Sequence, residues 1–162
     1  MSYRSVHIGV FLFAATMFFS VPAFSDPQCK PVVGSFEAHV VTEGCQSPAG
    51  LCTAGRVWGG IQGTYAFTMT NAIPNGEPTA QTVLFFTGHS VVTLKNGDVV
   101  LGTDTGAIDL PPGQGGFASL ITFHPGGSGS TANATGQIRL RGDFDPVAGT
   151  TSGDYLGTIC TP

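Results

Sequence analysis

Between residues 32 and 160 apolar and polar side chains alternate in about eight short stretches, each broken by turns rich in glycine or proline. In 32–42, Phe36, Ala38 and Val40 alternate with Glu37, His39 and Val41, which gives a strand with one apolar face and puts Glu37 and His39 toward solvent. A second strand begins over 54–58 and is interrupted by Gly59, Gly60 and Gly63 before 64–70, where Tyr65, Phe67 and Met69 share a face. Glycines inside such a run are expected to mark bulges or bends that curl a sheet toward closure. Further strands are expected over 81–94, 99–105 with an extension through 106–110, 117–123, 134–140 and 150–160. Asn96-Gly97 predicts a two-residue hairpin turn. Residues 71–79 read as a loop, and 125–130 as a flexible loop whose small residues have little to pack. No stretch carries a convincing helical period. Consecutive strands joined by short turns predict an up-and-down meander, all-β, that closes into an antiparallel β-barrel of about eight strands.

The first 25 residues are expected to be a signal peptide and not part of the fold. Arg4 and His7 precede the apolar run 8–19, and Ala23-Phe24-Ser25 offers small residues before a cleavage site. Residues 26–162 then form a single domain, expected to be secreted or periplasmic. The chain carries 6 Lys and Arg against 10 Asp and Glu, a net charge of −4, and its basic residues are scattered. Nucleic acid, polyphosphate and anionic membrane are therefore not expected as partners, nor is a membrane span after signal cleavage. Four cysteines in an exported chain favour disulfides over thiol or metal chemistry. Of the three connectivities, Cys45–Cys52 across a proline- and glycine-containing loop and Cys29–Cys160 across the ends of the domain are favoured.

The standard local signatures of phosphate, dinucleotide, zinc-protease and nucleophile-elbow sites are absent. Asp143 and Asp145 read as turn aspartates, and His39, His89 and His124 lack metal-ligand spacing, so no metal and no cofactor are expected. Asn133-Ala134-Thr135 fits a glycosylation acceptor whose use depends on the host. Several polar groups share strand faces with large apolar residues: Arg56 with Trp58, Tyr65 with Phe67, His89 in phase with Phe85, and Tyr155 with Ile159. If those faces point inward, Arg56, Trp58, Tyr65, Phe67, His89 and Tyr155 line an apolar cavity suited to a small hydrophobic molecule. In the other reading the tyrosine hydroxyls reach the barrel mouth and Arg56 sits outside.

Three segments, residues 60–67 (GIQGTYAF), 136–140 (GQIRL) and 153–160 (GDYLGTIC), together resemble the allene oxide cyclase-like barrel family, to which dirigent proteins are similar. The resemblance covers most of the domain as a rhythm of strands and glycines. It implies a calycin-like, eight-stranded barrel with a hydrophobic cavity. It also implies homo-oligomers, and either cofactor-free cyclases of fatty-acid epoxides or polyketides or proteins that steer the coupling of phenoxy radicals. The plant cyclase site pattern is absent, so no catalytic residue is carried across. Three functions remain open at this point: a stereo-directing cyclase, a non-catalytic carrier, and a structural interaction module whose barrel is packed solid.

Overall fold

The computed structural model describes residues 27–76 and 82–162, so the expected signal peptide lies outside the described residues. Eight strands follow one another: β1 (Gln28–Val40), β2 (Cys52–Gly59), β3 (Gly63–Pro74), β4 (Val83–Leu94), β5 (Val99–Asp109), β6 (Gly116–His124), β7 (Thr135–Asp145) and β8 (Thr150–Thr161). Each pairs antiparallel with its sequence neighbour, and β1 closes on β8 to complete the barrel. The closing seam runs from the Gln28–Thr161 pair to the His39–Thr150 pair, which leaves no free edge. Within it Cys29 stands directly opposite Cys160, and the two are joined. Cys45 and Cys52 are joined across the β1–β2 loop, so both expected disulfides are present. Linking residues separated by 131 positions removes loop-closure entropy from the unfolded chain, worth roughly 4–5 kcal/mol in the chain-entropy picture.

Side-chain alternation sorts cleanly once the barrel is closed. Val32, Phe36, Val57, Phe67, Met69, Phe86, Val92, Val100, Ile121, Phe123, Ile138 and Leu140 are buried inside. The outer positions between them include exposed Thr64, Thr87, Thr103, Gln137, Arg139 and Arg141. This sense, apolar within and polar without, is the reverse of a barrel that faces lipid. The interior divides into two apolar clusters. The larger gathers Val32, Phe36, Val57, Val92, Val100, Ile121, Phe123 and Tyr155 toward the end with the disulfide-linked termini. The smaller gathers Phe67, Met69, Phe86 and Ile108 toward the end carrying the β1–β2 loop. Phe36 packs edge-on against Phe117 at 5.7 Å and tilted against Tyr65 at 6.5 Å. Each such ring removed from water contributes on the order of 1.5–3 kcal/mol.

Four local expectations are corrected, the first being the loop over 71–79: β3 continues through Pro74 and pairs with β4 there. The glycines at 59–63 mark a hairpin between β2 and β3, not a bulge within one strand, because Thr53 pairs with Phe67 and Val57 with Gly63. The actual irregularity in β3 lies further on, between Met69 and Asn71. The β4–β5 turn has three residues, with Leu94 N–H donating to the Asp98 carbonyl at 2.8 Å and Gly97 at φ 88°. Only the glycine takes the left-handed conformation, as in a turn followed by a one-residue bulge. Finally, the small-residue loop before β7 is tied down. Asp98 accepts from the Ser130 N–H at 2.9 Å and from its hydroxyl, Ser128 Oγ accepts from Val99 N–H at 2.9 Å, and Thr131 Oγ1 donates to the Val99 carbonyl at 3.0 Å. The two bonds from Ser130, the hydroxyl's first, draw the Asp98 carboxyl below its ordinary range.

The β2–β3 hairpin is held by Tyr155 from β8. Its hydroxyl oxygen accepts from Ile61 N–H at 2.7 Å, and its proton faces the carbonyls of Trp58 at 3.1 Å and Ile61 at 3.2 Å. Removing that oxygen with Tyr155→Phe leaves buried backbone groups unmatched. We expect a loss of about 1–3 kcal/mol in urea unfolding. An unchanged midpoint would show that the hairpin does not depend on this hydroxyl.

Candidate functional site

Among the described residues, one acidic side chain is buried inside the barrel. Asp104, at the middle of β5, shares its strand face with Val100, Gly102, Gly106 and Ile108 and is 3% exposed. Across β4 its register partner is Gly88, and a Cβ there would drive into the Phe67 ring, so the missing side chain lets that ring lie beside the carboxyl. Two further buried hydroxyls occupy diagonal positions: Ser90 on β4 and Ser119 on β6. Tyr65 reaches over from β3. These groups form a polar layer between the two apolar clusters.

Its bonds are long and incomplete. Ser90 Oγ donates to Asp104 Oδ2 at 3.2 Å, which leaves Tyr65 O–H to donate to Ser90 Oγ at 3.4 Å. Hydroxyl hydrogen bonds are ordinarily near 2.7–2.8 Å. No protein donor meets hydrogen-bond geometry at Asp104 Oδ1, which is buried. Ser119 lies close enough to favour the charged carboxyl without completing a bond to that oxygen. Burial is the dominant influence and pushes the Asp104 carboxyl up to about 6, against the smaller opposing pulls of Ser119, Ser90, Tyr65 and the Thr105 N–H. Burial also raises Tyr65, with the Asp104 charge adding to it, so between the two the phenol keeps its proton.

A cavity of about 50 Å³ adjoins the carboxyl, walled by Phe36, Tyr65, Phe67, Phe86, Phe117 and Ser119 and extending toward Leu51 and Phe144 at the β1–β2 loop end. A far larger depression of about 760 Å³ lies on the outer wall, where Glu37, His39 and Arg56 gather with Thr64 and Thr93. Volume points outward and chemistry inward. Glu37, His39 and Arg56 in the outer depression are exposed, where water and salt weaken their pull on a ligand. The interior carboxyl has no such screening and one oxygen without a donor. We therefore place the candidate site inside.

Of the residues read from the sequence as a site, Tyr65 and Phe67 line this cavity. Tyr155 also points inward, but its hydroxyl is committed to the β2–β3 hairpin. Arg56, Trp58 and His89 face outward, contrary to the inward expectation; Trp58 is 43% exposed. The pairing of Arg56 with Trp58 on one face was correct, but Val57 between them takes the interior position. In β4 both phases carry apolar residues, and the phase of Phe86, Ser90 and Val92 is buried, which turns Phe85 and His89 out. Asp104, Ser90 and Ser119 were not singled out from the sequence. The available signal was phase: Val100 and Ile108 flank Asp104 at four-residue intervals on one strand face.

The fold and site together define a class: a closed eight-stranded up-and-down barrel with an ionisable interior layer. Comparison of the chain with protein-family models, with curated proteins and with solved structures found no match.

The proton linkage follows from the raised carboxyl. An unfolded Asp titrates near 3.9, so the folded protein binds this proton more tightly. Asp104's favourable contribution is complete below about pH 4 and is lost as pH rises through about 6, a change of about 3 kcal/mol at most. Asp104→Asn abolishes that titration. Urea unfolding should therefore show the variant gaining stability relative to the parent protein between about pH 4 and 7. Parallel pH profiles would contradict the assignment.

Proposed function

We propose that the protein is an exported binding barrel that takes the polar head of a small, mainly apolar molecule into its interior and holds it at Asp104. The observation that carries this reading is the Asp104 carboxyl, which lines an aromatic cavity and whose buried Oδ1 no protein donor satisfies. A buried acceptor left unmatched costs about 1–3 kcal/mol, more when charged, and a ligand donor would recover that cost. The two disulfides fit an oxidising compartment. The fit is to a head group: about 50 Å³ is well below the ~300 Å³ of a site that encloses a drug-sized ligand, so the ligand's body would rest at the mouth, near Leu51 and Phe144.

A carrier and a cofactor-free cyclase would use the same groups. Cyclase action is supported by a carboxyl that exchanges its proton near neutrality and a hydroxyl chain from Tyr65 through Ser90. A packed structural module is favoured by the small cavity itself. Native mass spectrometry of the chain purified from its own host separates these readings. We expect a retained small-molecule mass that is lost on Leu51→Trp, which fills the mouth while the barrel stays folded. The bare polypeptide mass in both proteins would favour the packed module.

A further inference from the structure

We infer that the head group received at Asp104 is a protonated primary amine. This inference rests on the binding reading above and names the ligand's chemistry. The first support is charge. Lys30, His39, Arg56, His89, Lys95, Arg139 and Arg141 are all exposed on the outside of the barrel, and His124 stands in the outward phase of β6. Among the described residues no cationic side chain faces the carboxyl, so once it ionises a positive counter-charge has to come from the ligand. The titratable group that does face it is the Tyr65 phenol, which stays protonated; Tyr155, also interior, is bound to the hairpin at Ile61.

The second support is the wall. Phe36, Phe67, Phe86 and Phe117 with Tyr65 line the same cavity as Asp104, and aromatic faces attract cations. The third is size. A cavity of about 50 Å³ admits an ammonium and its first methylene, whereas a quaternary ammonium with three methyl groups is bulkier than the space beside the carboxyl. A carboxylic acid ligand is disfavoured, because two carboxylates would meet in a medium that screens them poorly. A neutral alcohol could donate one hydrogen bond to Oδ1 but would leave the charge without a counter-ion.

The test uses isothermal titration of the disulfide-bonded protein at pH 8 with three matched probes: hexan-1-amine, hexan-1-ol and hexanoic acid. We expect the amine to bind at least about tenfold more tightly than the alcohol, in line with a charged hydrogen bond, and the acid to bind most weakly. In Asp104→Asn, checked for folding by circular dichroism, the amine should lose about tenfold or more while the alcohol is little changed. An alcohol or acid that binds the parent protein as tightly as the amine overturns the amine inference and leaves interior binding standing. Binding of none of the three overturns both. The comparison among probes on the parent protein decides the matter even if the variant does not fold.

Discussion

The pairing of β1 with β8 is the constraint from which the other features follow. Once the seam from Gln28–Thr161 to His39–Thr150 is made, every strand residue is either inside or outside and no edge remains to relieve a misplaced side chain. Eight strands enclose a space that side chains nearly fill. Phenylalanine and β-branched residues fill both ends, and small residues at Gly88, Gly102 and Gly106 make room for the rings and methyl groups of Phe67, Phe86 and Ile121. Closure therefore turns the placement of one acidic residue on the inner face into a strong electrostatic statement. Asp104 cannot swing to water without breaking the strand phase that buries Val100 and Ile108.

That carboxyl is a local conflict within an otherwise consistent interior. Ser90, Ser119 and Tyr65 soften it but do not resolve it, as the bond lengths and the unmatched Oδ1 show. An apolar residue of similar size would pack there at lower cost. Sequences tolerate such a conflict chiefly where a site requires it, which is the physical ground for placing function here rather than in the larger outer depression. Tyr155 illustrates the contrast. It is equally interior, yet its hydroxyl is fully matched by the Ile61 and Trp58 backbone, so it reads as architecture.

Much of the architecture was legible because strand alternation and turn residues report directly on a two-residue period. Most strand positions, the barrel and both disulfides followed from that signal and from cysteine placement, while residues 71–74 belong to β3 and not to a loop. The turns were read less well: hairpin and bulge share the same glycine vocabulary at 59–63, and only pairing partners distinguish them. The 128–131 segment looked loose because its anchor, Asp98, lies 32 residues away from Ser130. The site was half legible. Tyr65 and Phe67 sit in a strand with one clear apolar phase, whereas β2 and β4 carry apolar residues in both phases, so bulk at Trp58 and Phe85 misled the reading of Arg56 and His89. Asp104 was hidden because an aspartate between threonines resembles an exposed position until the strand's partners are known.

The interior site depends on an ionisable carboxyl desolvated inside a closed barrel. Its most direct test is carbon-detected nuclear magnetic resonance of the Asp104 side-chain carboxyl through a pH titration of the folded, ligand-free protein. A desolvated Asp104 should show a midpoint near pH 6, well apart from that of an exposed aspartate. A midpoint near 4 would mean that water reaches the carboxyl freely, and the interior site described here would not exist.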